Sequence, residues 1–176
     1  MKTLSYSLKK LDRTLIYKIA IEIDFPNIHI GLKSSDWTLP FDYETIENFA
    51  LSLGVIHSSR IYADWNDYSF EKTYLSQYNT ELVQIKHINL KGKSKKRKDL
   101  VDTAMAVNIG MMLHENSEIN LILIISGDAD FIPVIKAIKE YGEKKVLIIS
   151  AKESMSEYLS KFADHTIHYE YIAKLI

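Results

Sequence analysis

The stretch Leu121-Ile122-Leu123-Ile124-Ile125-Ser126-Gly127-Asp128-Ala129-Asp130-Phe131 decides how this chain is read. Five aliphatic residues run together and stop at Ser126-Gly127. A run so short and β-branched, closed by turn residues, reads as a buried parallel strand. Pro133 follows where a helix begins, since its missing N–H has no partner to lose there. Asp128 and Asp130 therefore stand at the carboxyl end of a central strand, just ahead of a helix. That is where open α/β sheets bind their ligands.

The same arrangement occurs about a hundred residues earlier. Tyr17 to Ile23 reads as a strand ending at Asp24, and Pro26 both halts the ladder and opens a helix. Arg60 to Trp65 reads as a short strand running into Asp64. Further strands are predicted at 81–88, 145–149 and 166–171. Helices are predicted at 43–53, 68–78, 99–114 and 154–162, and from Pro133 to Tyr141 with Gly142 just past its end. Alternating strands and helices argue for one α/β domain whose mainly parallel sheet is covered on both faces. The domain is assigned to 17–176. Residues 1–16 form an N-terminal extension in which Leu4, Leu8, Leu11 and Leu15 recur at helical spacing.

Composition narrows the classes. The 176 residues suit a single domain able to bury its own core. A net charge of −1 names no partner. The absence of cysteine excludes disulfides, zinc–thiolate sites and thiol nucleophiles. Met1 to Lys10 is polar, and the longest apolar run falls far short of a membrane span. A cytoplasmic protein with no membrane partner is expected. The Met111-Met112 pair suits either core or a subunit interface, which leaves a homodimer open.

Strand ends supply the candidate chemistry. Asp24, Asp64 and the Asp128/Asp130 pair all stand at such ends, and Asp102 falls in the first turn of the helix after residue 99. Each has a structural reading. Asp130 can cap the helix at Pro133, Asp102 can be a dipole-favoured acid behind a capping Asp99, and Asp128 can complete a turn. Taken together they point further. If Asp24 and Asp128 end adjacent strands, two carboxylates about 5 Å apart repel by roughly 3 kcal/mol at an effective dielectric near 20. Such a cluster must take up protons or a cation. All-oxygen ligation without His or Cys suits Mg2+ or Mn2+. Ala104, Ala106 and Gly110 leave a slim helix that brings Asp102 towards the strand ends.

Lys91, Lys93, Lys95, Lys96, Arg97 and Lys98 place six basic residues within eight. Beside an acidic metal site they suit a phosphodiester: the cations gather backbone phosphates while the metal acts on one of them. The same run also reads as a solvated charge cluster. Tyr62, Trp65 and Tyr68 suit either base stacking or the core. No histidine has metal-ligand spacing.

The segments 23–27 (Ile-Asp-Phe-Pro-Asn), 62–65 (Tyr-Ala-Asp-Trp), 101–108 (Val-Asp-Thr-Ala-Met-Ala-Val-Asn), 126–131 (Ser-Gly-Asp-Ala-Asp-Phe) and 162–165 (Phe-Ala-Asp-His) stand in the order seen in NYN domains. The chain resembles this LabA-like branch of the PIN-like ribonuclease superfamily over roughly residues 17–170. The resemblance implies a Rossmann-like three-layer sandwich and metal-dependent hydrolysis of RNA. It implies Asp24, Asp102, Asp128 and Asp130 as catalytic acids, the first three as metal ligands, with Asn27 and Asn108 at the substrate. Two positions depart from the family pattern. Phe25-Pro26 replaces a common Gly and a variable residue, which is expected to narrow access. Asn108 replaces a common Asp, which is expected to weaken a second metal. These departures, together with the basic run from Lys91 to Lys98, motivate an alternative, a non-catalytic RNA-binding or regulatory module. A third class, a phosphatase or phospho-acceptor domain, lacks the second acid it needs two residues after Asp24.

Overall fold

The computed structural model describes residues 16–34, 39–89, 97–98 and 100–174. Residues 1–15 of the predicted N-terminal extension and most of the basic run, including Lys91, Lys93, Lys95 and Lys96, lie outside them.

The strands are β1 (Tyr17–Asp24), β2 (Gly54–Ala63), β3 (Glu81–Gln84), β4 (Ile88–Asn89), β5 (Arg97–Lys98), β6 (Leu121–Ile125), β7 (Lys145–Ser150) and β8 (His165–His168). The helices are α1 (Phe25–Ser34), α2 (Tyr43–Leu51), α3 (Ser69–Leu75), α4 (Val101–Glu115), α5 (Ile132–Glu140) and α6 (Tyr169–Ile172). Six strands form one sheet in the order β3-β2-β1-β6-β7-β8, and every neighbouring pair is parallel. The all-parallel sheet with helices on both faces is the architecture expected of the PIN-like fold. No helix of the described residues is long and apolar enough to cross a membrane.

The central strands explain why the sheet is three-layered. All five residues of β6 are buried, as they must be in a strand covered on both sides. Side-chain alternation divides the core. Ile21, Ile23, Leu123 and Ile125 pack under α1 and α2, while Ala20, Ile122 and Ile124 pack under α4 and α5 with Met105, Ile109 and Ile135. Asp42 caps α2 by accepting the N–H groups of Glu44 and Thr45. On α4 the sheet-facing residues are Val101, Met105, Ile109 and Met112. A Cβ on Gly110 would meet nothing within 4 Å, so that glycine does not set the close approach of the helix. Met112 is buried and Met111 exposed.

Several boundaries differ from the sequence reading. β2 begins at Gly54, well before Arg60, and its irregular first half, with a register shift opposite Ile19/Ala20, hides the alternation. The strand expected at 81–88 ends at Gln84, and Ile88 opens a separate antiparallel pair with Arg97–Lys98. Leu100, not Asp99, is the N-cap of α4, and Asp99 lies outside the described residues. Phe131, not Asp130, caps α5. The helix expected at 154–162 is replaced by two 3-10 turns, Lys152–Ser154 and Leu159–Lys161. The Ser156 N–H donates to the Gly127 carbonyl, and that long-range bond holds the segment out of a helix. The last strand stops at His168, where α6 begins.

Candidate metal centre

β1 and β6 are adjacent, with Ile23 opposite Ile125. Their carboxyl ends therefore bring Asp24 and Asp128 to the same edge of the sheet, where both line one cavity. Asp128 opens a 3-10 turn, its Oδ1 accepting the Asp130 N–H at 2.9 Å. That turn swings Asp130 back towards the first turn of α4. Carboxylate oxygens of Asp102, Asp128 and Asp130 all lie within 4.8 Å of one another. Asp24 joins through Asp102, the two carboxyls lying within hydrogen-bonding reach.

Asp24 is 3% exposed. Burial, and after it the charge of Asp102, holds its carboxyl well above the usual carboxylate range. Hydrogen bonds from the Asn27 N–H (3.2 Å) and the Ser126 hydroxyl (3.0 Å) pull the other way without prevailing. An acid so placed favours either a proton or a cation. The donor set is entirely carboxylate oxygen, which fits a hard divalent ion.

Asp24, Asp102 and Asp128 line a cavity of about 430 Å³. Asn27 lines it, and its Oδ1 accepts the Gly127 N–H at 2.9 Å, tying the start of α1 to the end of β6. A Cβ on Gly127 would lie 2.1 Å from the Ser154 carbonyl oxygen, so only glycine permits this crossing. Glu153 and Ser154 line the same cavity. The sequence reading assigned them no role: Ser154 was read as the start of a helix and Glu153 as the residue before it. It also left Ser126 unassigned, although a hydroxyl between a buried strand and a strand-end acid was a usable signal.

Other expected site residues lie elsewhere. Asn108 does not face the cavity: its amide hydrogen-bonds the Tyr62 hydroxyl. Phe25 is buried on the opposite flank of α1, packed against His29, Phe41, Trp65 and Tyr68. It is not among the residues that line the acidic cavity. Tyr62 and Trp65 are core residues. The Tyr62 hydroxyl donates to Glu22 at 2.7 Å and the Trp65 indole donates to the Val83 carbonyl at 3.1 Å. Asp64 accepts from the Asn66 and His87 N–H groups and from the Asn66 and Gln84 amides. Burial raises its pKa, but these bonds outweigh it and hold the carboxyl below its ordinary value. Asp64 thus closes a loop and stands apart from the acidic cavity. Arg97 and Lys98 form β5, two residues ahead of the start of α4, so the basic segment leads into the helix that carries Asp102.

A family model described as the NYN domain matches residues 18–170. The chain belongs to the NYN domain family. NYN domains fall within the PIN-like superfamily, which includes nucleases, and the acidic cluster of this NYN domain fits a metal site. Over 107 residues the chain is 33% identical to the uncharacterized protein MJ0482 of Methanocaldococcus jannaschii, a match covering 61% of this chain and 44% of that protein. The chain thus spans less than half the length of that relative. A crystal structure of VPA0982, a protein of unknown function from Vibrio parahaemolyticus, superposes with a TM-score of 0.72 at 22% identity. That match covers 87% of this chain and 93% of the other and concerns the fold alone.

Proposed function

We propose that this NYN domain is a ribonuclease dependent on Mg2+ or Mn2+ that hydrolyses RNA phosphodiester bonds in the cytoplasm. The observation that carries the reading is the approach of Asp102, Asp128 and Asp130 within 4.8 Å, with Asp24 against Asp102, at the carboxyl ends of adjacent strands.

Asp102, Asp128 and Asp130 would hold the cation, with Asp24 completing the set. When bound, a divalent ion supplies Lewis acidity to a phosphoryl oxygen and offsets the clustered negative charge. The protein's own groups do the rest. Ser126 and the Asn27 N–H orient Asp24 from opposite sides. The Asn27 amide nitrogen faces the substrate while its oxygen holds Gly127. Lys91, Lys93, Lys95, Lys96, Arg97 and Lys98 draw in the phosphate backbone. Water attacks phosphorus in line with the departing 3′ oxygen, leaving 5′-phosphate and 3′-hydroxyl ends.

The non-catalytic alternative was motivated by Phe25, Asn108 and the basic run from Lys91 to Lys98, and neither Phe25 nor Asn108 lines the cavity. The test is incubation with single-stranded and hairpin RNA, with Mn2+ or with EDTA, beside Asp128→Asn. Cleavage that needs Mn2+ and disappears in the variant is expected. RNA binding without turnover at any divalent concentration would overturn the assignment.

A further inference from the structure

The opposite flank of α1 faces a second cavity. Pro26, Asn27, Ile30 and Gly31 line the acidic cavity, whereas Phe25, His29, Leu32 and Lys33 line this one, as the helical period requires of positions on opposite sides. Its volume is about 440 Å³, within the range of small-molecule sites. Phe25, Leu32, Phe41 and Leu75, all buried, make its floor. The Phe41 ring meets Phe25 edge-on with centroids 5.8 Å apart. Phe70 and Tyr74, from α3, stand at the mouth, and Phe70 is 84% exposed. A flat apolar guest would take that ring and the floor out of water together.

Charge enters this cavity at one side. His29 stacks on Phe25 with ring centroids 5.0 Å apart, and its Nε2 lies 3.6 Å from a Glu71 carboxylate oxygen. Burial, followed by the charge of Lys33, lowers the pKa of His29 against the pull of Glu71, so the imidazole is neutral near pH 7. The Glu71 carboxylate therefore meets no full positive charge there. Lys33 follows His29 by one helical turn and is exposed on the same flank. Among the described residues it has no ion-pair partner, and Glu71 has only His29. The other acid of the lining is engaged: Asp42 caps α2 and accepts the Tyr74 hydroxyl at 2.9 Å. The cavity thus offers one cation and one anion, not paired with each other, beside an apolar floor that suits a ring.

We infer that this second cavity is a binding site for a free aromatic amino acid. The ring lies on Phe25, Leu32 and Leu75 between Phe41 and Phe70, the ammonium meets Glu71, and the carboxylate meets Lys33. A ligand with only one of these charges leaves the other protein charge against an apolar guest, and an aliphatic side chain forgoes the aromatic contacts. The assignment is independent of the ribonuclease reading, since none of the acids of the metal centre lines this cavity.

Calorimetric titration of the whole chain with L-tryptophan tests the site, beside L-leucine, L-tryptophanamide and N-acetyl-L-tryptophan. Tryptophan should bind with a Kd below about 1 mM and each of the others about tenfold more weakly, the size of one charge-assisted or aromatic contact. Glu71→Gln should remove the margin between tryptophan and its N-acetyl form, and Lys33→Gln the margin between tryptophan and its amide. Neither side chain is buried, so both variants should keep the wild-type melting temperature. No saturable binding of tryptophan, or margins that survive in both variants, would overturn the site. An amide that binds as tightly as the free amino acid would also overturn it, and would point to the amino end of a peptide chain as the guest.

Discussion

The Ser126 hydroxyl donates to Oδ2 of Asp24 across 3.0 Å, although the two residues are 102 positions apart in the chain. The Ser126 hydroxyl oxygen in turn accepts the Asp128 N–H at 3.2 Å. One buried hydroxyl thus joins the ends of β1 and β6 and aims an acid from each. Replacing Ser126 with Ala removes both bonds and leaves the Asp128 N–H without that partner. Calorimetric titration with Mn2+ should show affinity reduced by about tenfold or more, as for other groups that orient metal ligands. Unfolding in denaturant should show a loss of about 1–2 kcal/mol.

Asp24 illustrates a cost that the site bears when it holds no cation. Its carboxyl is held above the ordinary range by burial and then by Asp102. A raised folded value means that the group favours the fold while protonated and that this contribution is lost as pH rises through the raised value. Asp24→Asn should therefore melt a few degrees higher than wild type at about pH 8 without metal, a gap that closes towards about pH 4. Mn2+ should raise the melting temperature of the wild type and leave the variant nearly unchanged. Thermal melts at the two pH values, with and without Mn2+, check both statements.

Glu22 carries the same kind of penalty one strand pleat below. It is fully buried, accepts the Tyr62 hydroxyl through one oxygen, and has Arg60 3.6 Å from the other. Burial pushes its pKa up to about 7, against the opposing pull of Tyr62 and Arg60. The folded value again lies above the unfolded one. Its contribution is whole below the ordinary carboxylate value near 4.5 and declines as pH rises through about 7. Glu22→Gln has no such proton to lose. The stability difference between wild type and variant should change by on the order of 3 kcal/mol across that window. Denaturant unfolding at about pH 5 and about pH 8 measures it.

Gly127 is constrained by neighbours. A Cβ there would sit 2.1 Å from the Ser154 carbonyl oxygen and 2.5 Å from its carbon, both backbone atoms unable to rotate away. Gly127→Ala should cost about 1–3 kcal/mol in chemical unfolding, the usual range for forcing a methyl into packed space. Ser154→Ala leaves that carbonyl in place and should not rescue it.

Much of the fold was legible because it is written in local pattern. The run from Leu121 to Ile125 has no polar residue to offer solvent, so it is buried wherever it lies, and Ser126-Gly127 must end it. Pro26 and Pro133 each act on their own backbone, so the strand-to-helix junctions that carry Asp24 and Asp128 were visible without any long-range contact. Tertiary structure decided what those junctions meet. Only the order β2-β1-β6 puts Asp24 beside Asp128, and sequence spacing does not encode strand order. Whether Phe25 turned into the cavity or away from it depended on an aromatic cluster drawn from distant segments, with Phe41, Trp65 and Tyr68. Asn108 faces Tyr62 because β2 runs beneath α4. Asp64 was a further strand-end acid in the sequence, and in the structure it accepts from Gln84 and His87. The segment at 154–162 followed its packing on Gly127 in preference to its helical pattern. Backbone chemistry and hydrophobic periodicity act within a few residues and can be read from the chain, whereas the partners of a polar side chain are chosen by the assembled sheet.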